Sequence, residues 1–221
     1  MKIGNLKSMQ ENKINSAIYF DKNNLINFKY FNFKIFKRRV PKKFSIDLCF
    51  GSNFKKKYKL IFLIGFTKMI KINSNQNFFT IHESNLPKGS GMSPLKHQIM
   101  KNKKSIICCL FKLNDKLDGG YIYLKDKLII KKTDIFDEIK KKQMSLTSNM
   151  IIKFMKKYPN IKGERQSGKR TFFRRLTPND DKIDINKSIK SQFDKLRSTN
   201  HYEYKNFFFI NGKKFYLKLD K

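Results

Sequence analysis

Two short runs hold the side chains best suited to chemistry. The first is His82-Glu83-Ser84-Asn85-Leu86-Pro87-Lys88-Gly89-Ser90-Gly91-Met92-Ser93-Pro94. The second is Leu117-Asp118-Gly119-Gly120-Tyr121-Ile122. Histidine is the side chain whose ordinary pKa lies nearest neutrality, so it can take a proton and return it. A carboxylate beside it favours the imidazolium and holds the ring. A His and an Asp presented on loops at strand ends are therefore placed to act as a general base and its partner.

Together the runs read His-x-Ser-x-Leu-Pro-x-x-x-Gly-x-x-Pro, then Leu-Asp-x-Gly-x-Ile. This pair resembles the motifs of the folate-dependent formyltransferases, which act on methionyl-tRNA, glycinamide ribonucleotide or sugar amines. The resemblance covers residues from about 58 to the C-terminus, more loosely after Leu124. It implies that His82 takes the proton of an attacking amine and that Asp118 sets its protonation state. The family usually has Asn two residues before the His, to bind the developing oxyanion. Here that position is Thr80, whose hydroxyl has a shorter reach. Ser84, Asn85, Leu86 and Pro87 match the family's folate-contacting loop. Thr67, Lys68, Met69 and Ile70 correspond to the segment whose backbone lines the pterin pocket. The implied co-substrate is 10-formyltetrahydrofolate, with no metal. Glu83 receives no role beyond that of a solvent-facing acid.

These residues need strands to present them. Leu60-Ile61-Phe62-Leu63-Ile64 is a continuous apolar run ending at Gly65, which predicts a strand buried on both faces, as in a parallel sheet. Phe78 to His82 and Ser105 to Lys112 read as further strands. Ala17 to Phe20 reads as a first strand, and the alternating Phe31-Asn32-Phe33-Lys34-Ile35-Phe36 as a second. Residues 1 to about 54 match the family's opening strand and helix poorly. With no Gly-x-Gly-x-x-Gly, no dinucleotide site is expected. Lys37-Arg38-Arg39 and Lys42-Lys43 read as a solvated loop. Ser93 is placed as an N-cap, with Pro94 opening a short helix to about Lys101. His97 within it reads as a surface residue. Tyr121–Leu124 and Lys127–Ile130 read as a hairpin-like pair about Lys125-Asp126.

Thr133 is expected to cap a long helix, with Asp134, Asp137 and Glu138 in its first turns. Ile135, Ile139, Leu146, Met150 and Phe154 form its apolar stripe, and Tyr158-Pro159 ends it. A tail from Gly163 carries Arg174-Arg175-Leu176-Thr177-Pro178, a helix from about Lys187 to Leu196, and two strand-like runs about Asn211-Gly212, a strong hairpin signal. The Arg-Arg-x-x-Pro run resembles the sugar N-formyltransferases, which implies substrate binding by Arg174 and Arg175. The planar guanidinium suits phosphate in a way that Lys does not. The fold class is thus α/β, a Rossmann-like, mostly parallel sheet with a small C-terminal α+β extension. The division is a catalytic domain over 1–125 and a helix plus extension over 126–221.

The 221 residues carry a formal net charge of +33, with 50 Lys and Arg against 17 Asp and Glu. That invites a polyanionic partner. The charge is nearly all Lys and is spread along the chain, and the Lys, Asn, Ile and Phe bias fits an AT-rich coding sequence, so a nucleic-acid partner is not favoured. Three cysteines, Cys49, Cys108 and Cys109, suit neither a zinc site nor a disulfide framework. They read as free core thiols in a reducing cytoplasm. No run approaches a membrane span, and the polar N-terminus lacks a signal-peptide apolar region.

The reading is an N-formyltransferase acting on a nucleotide-linked amino sugar or a surface-glycan intermediate. A homodimer is compatible with it. The competing readings are a methionyl-tRNA formyltransferase, against which the short remainder after Leu124 is set, and a non-catalytic, lysine-rich binding protein on a decayed scaffold.

Overall fold

A computed structural model describes residues 13–72 and 75–221. The polar N-terminal stretch read above lies outside the described residues. The centre is a six-stranded sheet. Its strands are β1 (Ile14–Phe20), β2 (Phe44–Phe50), β3 (Leu60–Ile64), β4 (Asn77–His82), β6 (Ser105–Lys112) and β7 (Ile122–Ile129). Their order is β2-β1-β3-β4-β6-β7. The first four are parallel, while β6 runs antiparallel to both β4 and β7. This is the expected Rossmann-like, mostly parallel α/β architecture.

All five residues of β3 are buried. Leu60, Phe62 and Ile64 join a core with Phe79, Met150 and Phe154. Ile61 and Leu63 join Ala17, Tyr19 and Phe78 on the opposite face. A strand at the middle of a parallel sheet has no wet face, so the alternation of polar residues is missing. The long helix α4 (Phe136–Lys157) covers the first face, and its Phe154 ring sits 4.6 Å from that of Phe79.

The segment before β2 is helical, in α1 (Ile26–Lys29) and α2 (Phe33–Arg38). The alternating run from Phe31 to Phe36 is therefore not a strand. Asn32 caps α2 by accepting the Ile35 N–H at 3.0 Å, and Phe36 faces the core from the helix. The segment thus supplies the strand–helix–strand opening that its sequence matched poorly.

The hairpin expected about Lys125-Asp126 is one continuous strand, β7. It is an edge strand, where exposed charges are tolerated and block further pairing. The same strand passes through residues 125 and 126, where the sequence suggests a division. Helix α4 begins later than Thr133 implies. Ile135 is its N-cap residue, and the Glu138 side chain accepts the Ile135 N–H at 3.0 Å. Helix α3 (Pro94–Met100) has Ser93 at its cap position, but Ser93 is left-handed and makes no side-chain cap bond.

The tail returns to this body. β8 (Phe172–Phe173) pairs with the two-residue strand β5 (Ser90–Gly91). A turn at Pro178–Asp181 follows, then α5 (Ile189–Ser198) and a hairpin of β9 (Asn206–Ile210) and β10 (Lys213–Leu217). Asn211 and Gly212 both have positive φ, as the hairpin turn requires. Cys108 packs into the α4-side core and Cys109 into a cluster with Leu86 and Phe111, so the adjacent thiols face opposite ways. No helix among the described residues is long and apolar enough to cross a membrane.

Candidate functional site

His82 is the last residue of β4 and is 8% exposed. Its Nε2 lies 2.8 Å from the carbonyl oxygen of Gly89. A carbonyl only accepts, so Nε2 carries a proton and Nδ1 is the free base of the neutral ring. Nδ1 lies 3.9 Å from Asp118 Oδ2. That is beyond a normal hydrogen bond.

Asp118 is held from several sides. Its backbone is left-handed, with φ of 47°. Oδ2 accepts the Gly91 N–H at 2.8 Å. The Gln166 amide donates to the carbonyls of Asp118 and Gly120 at 2.7 and 2.8 Å, and Arg170 donates to that of Leu117 at 2.9 Å. Gln166 and Arg170 come from the tail and were not singled out by sequence. Nothing local marks them, because their roles exist only once the tail packs back. A Cβ at Gly120 would fall 1.6 Å from the Lys112 carbonyl oxygen, which explains the glycine of the second motif. A Cβ at Gly91 would fall 2.4 Å from the Phe173 carbonyl oxygen, and its φ is 101°. Gly91 thus holds Asp118 and admits the tail at once.

The pair borders a cavity of about 990 Å³. Thr67, Lys68, Met69 and Ile70 line it, as do Thr80, His82, Asp118 and Arg175. Ser84, Asn85, Leu86 and Pro87 do not. Leu86 packs against Cys109, Phe111 and Ile122, and Asn85 accepts from Lys125 at 3.0 Å. Within the loop, Pro87 and Ser90 are tied to one another and to Thr171. These four residues thus lie outside the cavity lining, with Asn85 exposed.

Thr80 faces the cavity, but its hydroxyl donates to the Leu63 carbonyl at 2.9 Å. An oxyanion contact from Thr80 would require that bond to break. The two arginines also part company. Arg175 reaches the cavity, while Arg174 grips Asp180 with both terminal nitrogens. That hydrogen-bonded guanidinium holds the Asp180 carboxyl well below the usual carboxylate range. Arg174 is thus already paired, although most of its side chain remains exposed. His97 is more than a surface residue. Its Nε2 donates to the Arg174 carbonyl at 2.9 Å, and its ring stacks on Phe173 at 4.8 Å.

Glu83 does not simply face solvent. It lines the cavity, and the Gln143 amide donates to its carboxylate. Lys140 lies beside Gln143, and burial pushes its pKa down. Among the described residues no group of three or more His, Cys, Asp and Glu is arranged to hold a metal.

Residues 52–155 match the family model described as formyl transferase. The chain is similar to the methionyl-tRNA formyltransferase of Thermosipho melanesiensis, 27% identical over 138 residues, which are 62% of this chain and 45% of that protein. It thus spans under half the length of that curated relative. Among solved structures it resembles a methionyl-tRNA formyltransferase from Clostridium thermocellum, with a TM-score of 0.70 at 20% identity, covering 92% of this chain and 96% of that one. It also resembles a sugar N-formyltransferase from a Shewanella species, with a TM-score of 0.65 at 14% identity, covering 93% and 97%. At such identities these structures establish the shared fold alone.

Proposed function

We propose that this chain, whose residues 52–155 match the formyl transferase family model, moves a formyl group from 10-formyltetrahydrofolate to the amine of an amino sugar. The observation that carries the reading is His82. Its Nε2 is locked by the Gly89 carbonyl, and its Nδ1 faces both the cavity wall and Asp118. Formyl transfer needs a base as the amine nitrogen bonds to the formyl carbon. Nδ1 takes the proton that the amine loses, and the Asp118 carboxylate stabilises the resulting imidazolium. The same imidazolium then returns the proton to the departing folate nitrogen as its bond to the formyl carbon breaks. The cavity and the exposed backbone of residues 67–70 suit a flat heterocycle read by its edge. The oxyanion is assigned to a backbone N–H or a water, since the Thr80 hydroxyl is committed to Leu63.

The amino-sugar acceptor is supported by the tail. Arg175 enters the cavity from the run that resembles the sugar enzymes. The second reading, methionyl-tRNA as acceptor, is favoured by the net charge of +33 and by the curated relative. Incubation with 10-formyltetrahydrofolate and either a panel of nucleotide-linked amino sugars or methionyl-tRNA decides between them. Formylation of an amino sugar, lost in His82→Ala, is the expected result. Formylation of methionyl-tRNA alone would replace the acceptor. Transfer to neither would leave a binding protein on a formyltransferase scaffold.

A further inference from the structure

The wall of the cavity contributed by α1 and α4 differs from the His82 wall. Lys140 donates to Asn27 Oδ1 and to Gln143 Oε1, both at 2.9 Å. Gln143 in turn donates to the Glu83 carboxylate. The result is a relay from Asn27 through Lys140 and Gln143 to Glu83. Asn27 and Gln143 are 7% and 6% exposed, and the Gln143 amide cannot flip without breaking its bonds to both Lys140 and Glu83. All four residues line the cavity. As an ammonium, which the Glu83 carboxylate favours against the effect of burial, Lys140 has a third hydrogen beyond the two that the relay uses. Beside it, Asn24 donates to the Gly65 carbonyl at 3.3 Å, while its own Oδ1 is buried without a partner.

We infer that this wall is the acceptor subsite and that the Asn27–Lys140–Gln143–Glu83 relay reads the hydroxyl groups of the acceptor's sugar ring. The inference rests on the formyltransferase reading above and assigns the ring contacts to α1, α4 and Glu83. The subsite offers a cationic donor, an anionic acceptor and a vacant amide oxygen at fixed positions. Hydroxyls both donate and accept, so neighbouring hydroxyls can satisfy all three at once. A phosphate cannot, because it has only acceptors to offer and would meet the Glu83 carboxylate. The phosphates of a nucleotide-linked ligand belong instead near Arg175, Lys68 and Lys116 on the same cavity.

The test measures affinity for UDP, for a UDP-linked aminohexose and for tetrahydrofolate, in wild type, Lys140→Met, Gln143→Leu and Glu83→Gln. Hydrogen bonds to charged groups imply that the UDP-aminohexose weakens about 10- to 100-fold in the variants. UDP and tetrahydrofolate should bind as in wild type, which also shows that the variants fold. Should Lys140→Met or Gln143→Leu lose folate binding, Glu83→Gln, which keeps shape, carries the test. Equal losses for UDP and UDP-aminohexose would make this an anion site and overturn the inference. So would no loss for either, with wild type formylating the sugar. A wild type that formylates no amino sugar defeats the parent reading first, and this inference falls with it.

Discussion

Two loops leave the carboxyl ends of neighbouring parallel strands, and they are built to opposite specifications. The loop after β3 is anchored at its start by Asn24 on the Gly65 carbonyl, then runs exposed through Thr67, Lys68 and Met69, the last 73% exposed. The loop after β4 is buried at Ser84, Leu86, Pro87, Gly89 and Ser90. It is cross-linked by His82 to Gly89, by Gly89 to Thr171 at 2.9 Å, and by Gly91 to Asp118. Both carry residues that sequence alone would send to a cofactor. The difference separates a loop with exposed side chains from one whose backbone is largely spent on internal bonds. Backbone groups already spent on internal bonds are not available to a ligand.

The sharpest way to break the comparison is at the base. His82→Ala and Asp118→Asn should each lower single-turnover formyl transfer by about 10²–10⁴-fold, the usual range for a general base. Asp118 acts through His82, so the double variant should be hardly slower than His82→Ala. Multiplicative losses would show that Asp118 has a separate task.

Gly91→Ala comes next. It strains a positive φ and drives a methyl against the Phe173 carbonyl. Strain of this kind costs about 1–3 kcal/mol. Chemical denaturation should show that loss, and hydrogen exchange should show faster opening at Ser90 and Phe173. An equivalent change in the exposed loop, Met69→Ala, should leave stability unchanged and weaken folate binding instead. Equal effects on stability would erase the distinction between the loops.

The first motif was legible because its chemistry is local: a strand, a histidine and a glycine loop are adjacent in sequence. What the sequence could not show was direction. Ser84 to Pro87 follow the histidine closely, yet they are absent from the lining of the cavity that His82 borders. Phe31 to Phe36 alternates like a strand, but Phe33 and Phe36 also stand one helical turn apart, and Asn32 supplies the cap that decides for helix. Lys125-Asp126 looked like a turn because charge in a strand is informative only when one knows that the strand is at an edge. Arg174 and Arg175 were indistinguishable until Asp180 was placed against the first.

That last pair makes a third, smaller test, of the tail against the cavity. Asp180 is depressed chiefly by its hydrogen bond from Arg174. A carboxyl lowered on folding contributes stability that is fully present above its unfolded pKa of about 4 and is lost as pH falls through the folded value. Arg174→Ala should therefore lower stability at neutral pH and flatten its decline below about pH 4. Arg175→Ala should leave both unchanged and raise the KM for the acceptor. An exchange of these phenotypes would return Arg174 to the substrate.

The smallest effect is expected where the two loops meet. Thr80 lies on β4, two residues before His82, and its hydroxyl donates to Leu63, two residues before Gly65. It is a cross-strand tie between the starts of the rigid and the exposed loop. Thr80→Val keeps the branched shape and removes the hydroxyl, leaving the Leu63 carbonyl without that donor. As a tie alone, the hydroxyl should contribute about 0.5–1.5 kcal/mol to stability, as neutral hydrogen bonds do. Formyl transfer should then slow by no more than about threefold, because no charge-stabilising group has been lost from the transition state. Were Thr80 the oxyanion donor, the rate would instead fall by about 10²–10³-fold. Stability and single-turnover rate measured on the same preparation separate the two. A large loss of rate with unchanged stability would mean that the hydroxyl leaves Leu63 during the reaction.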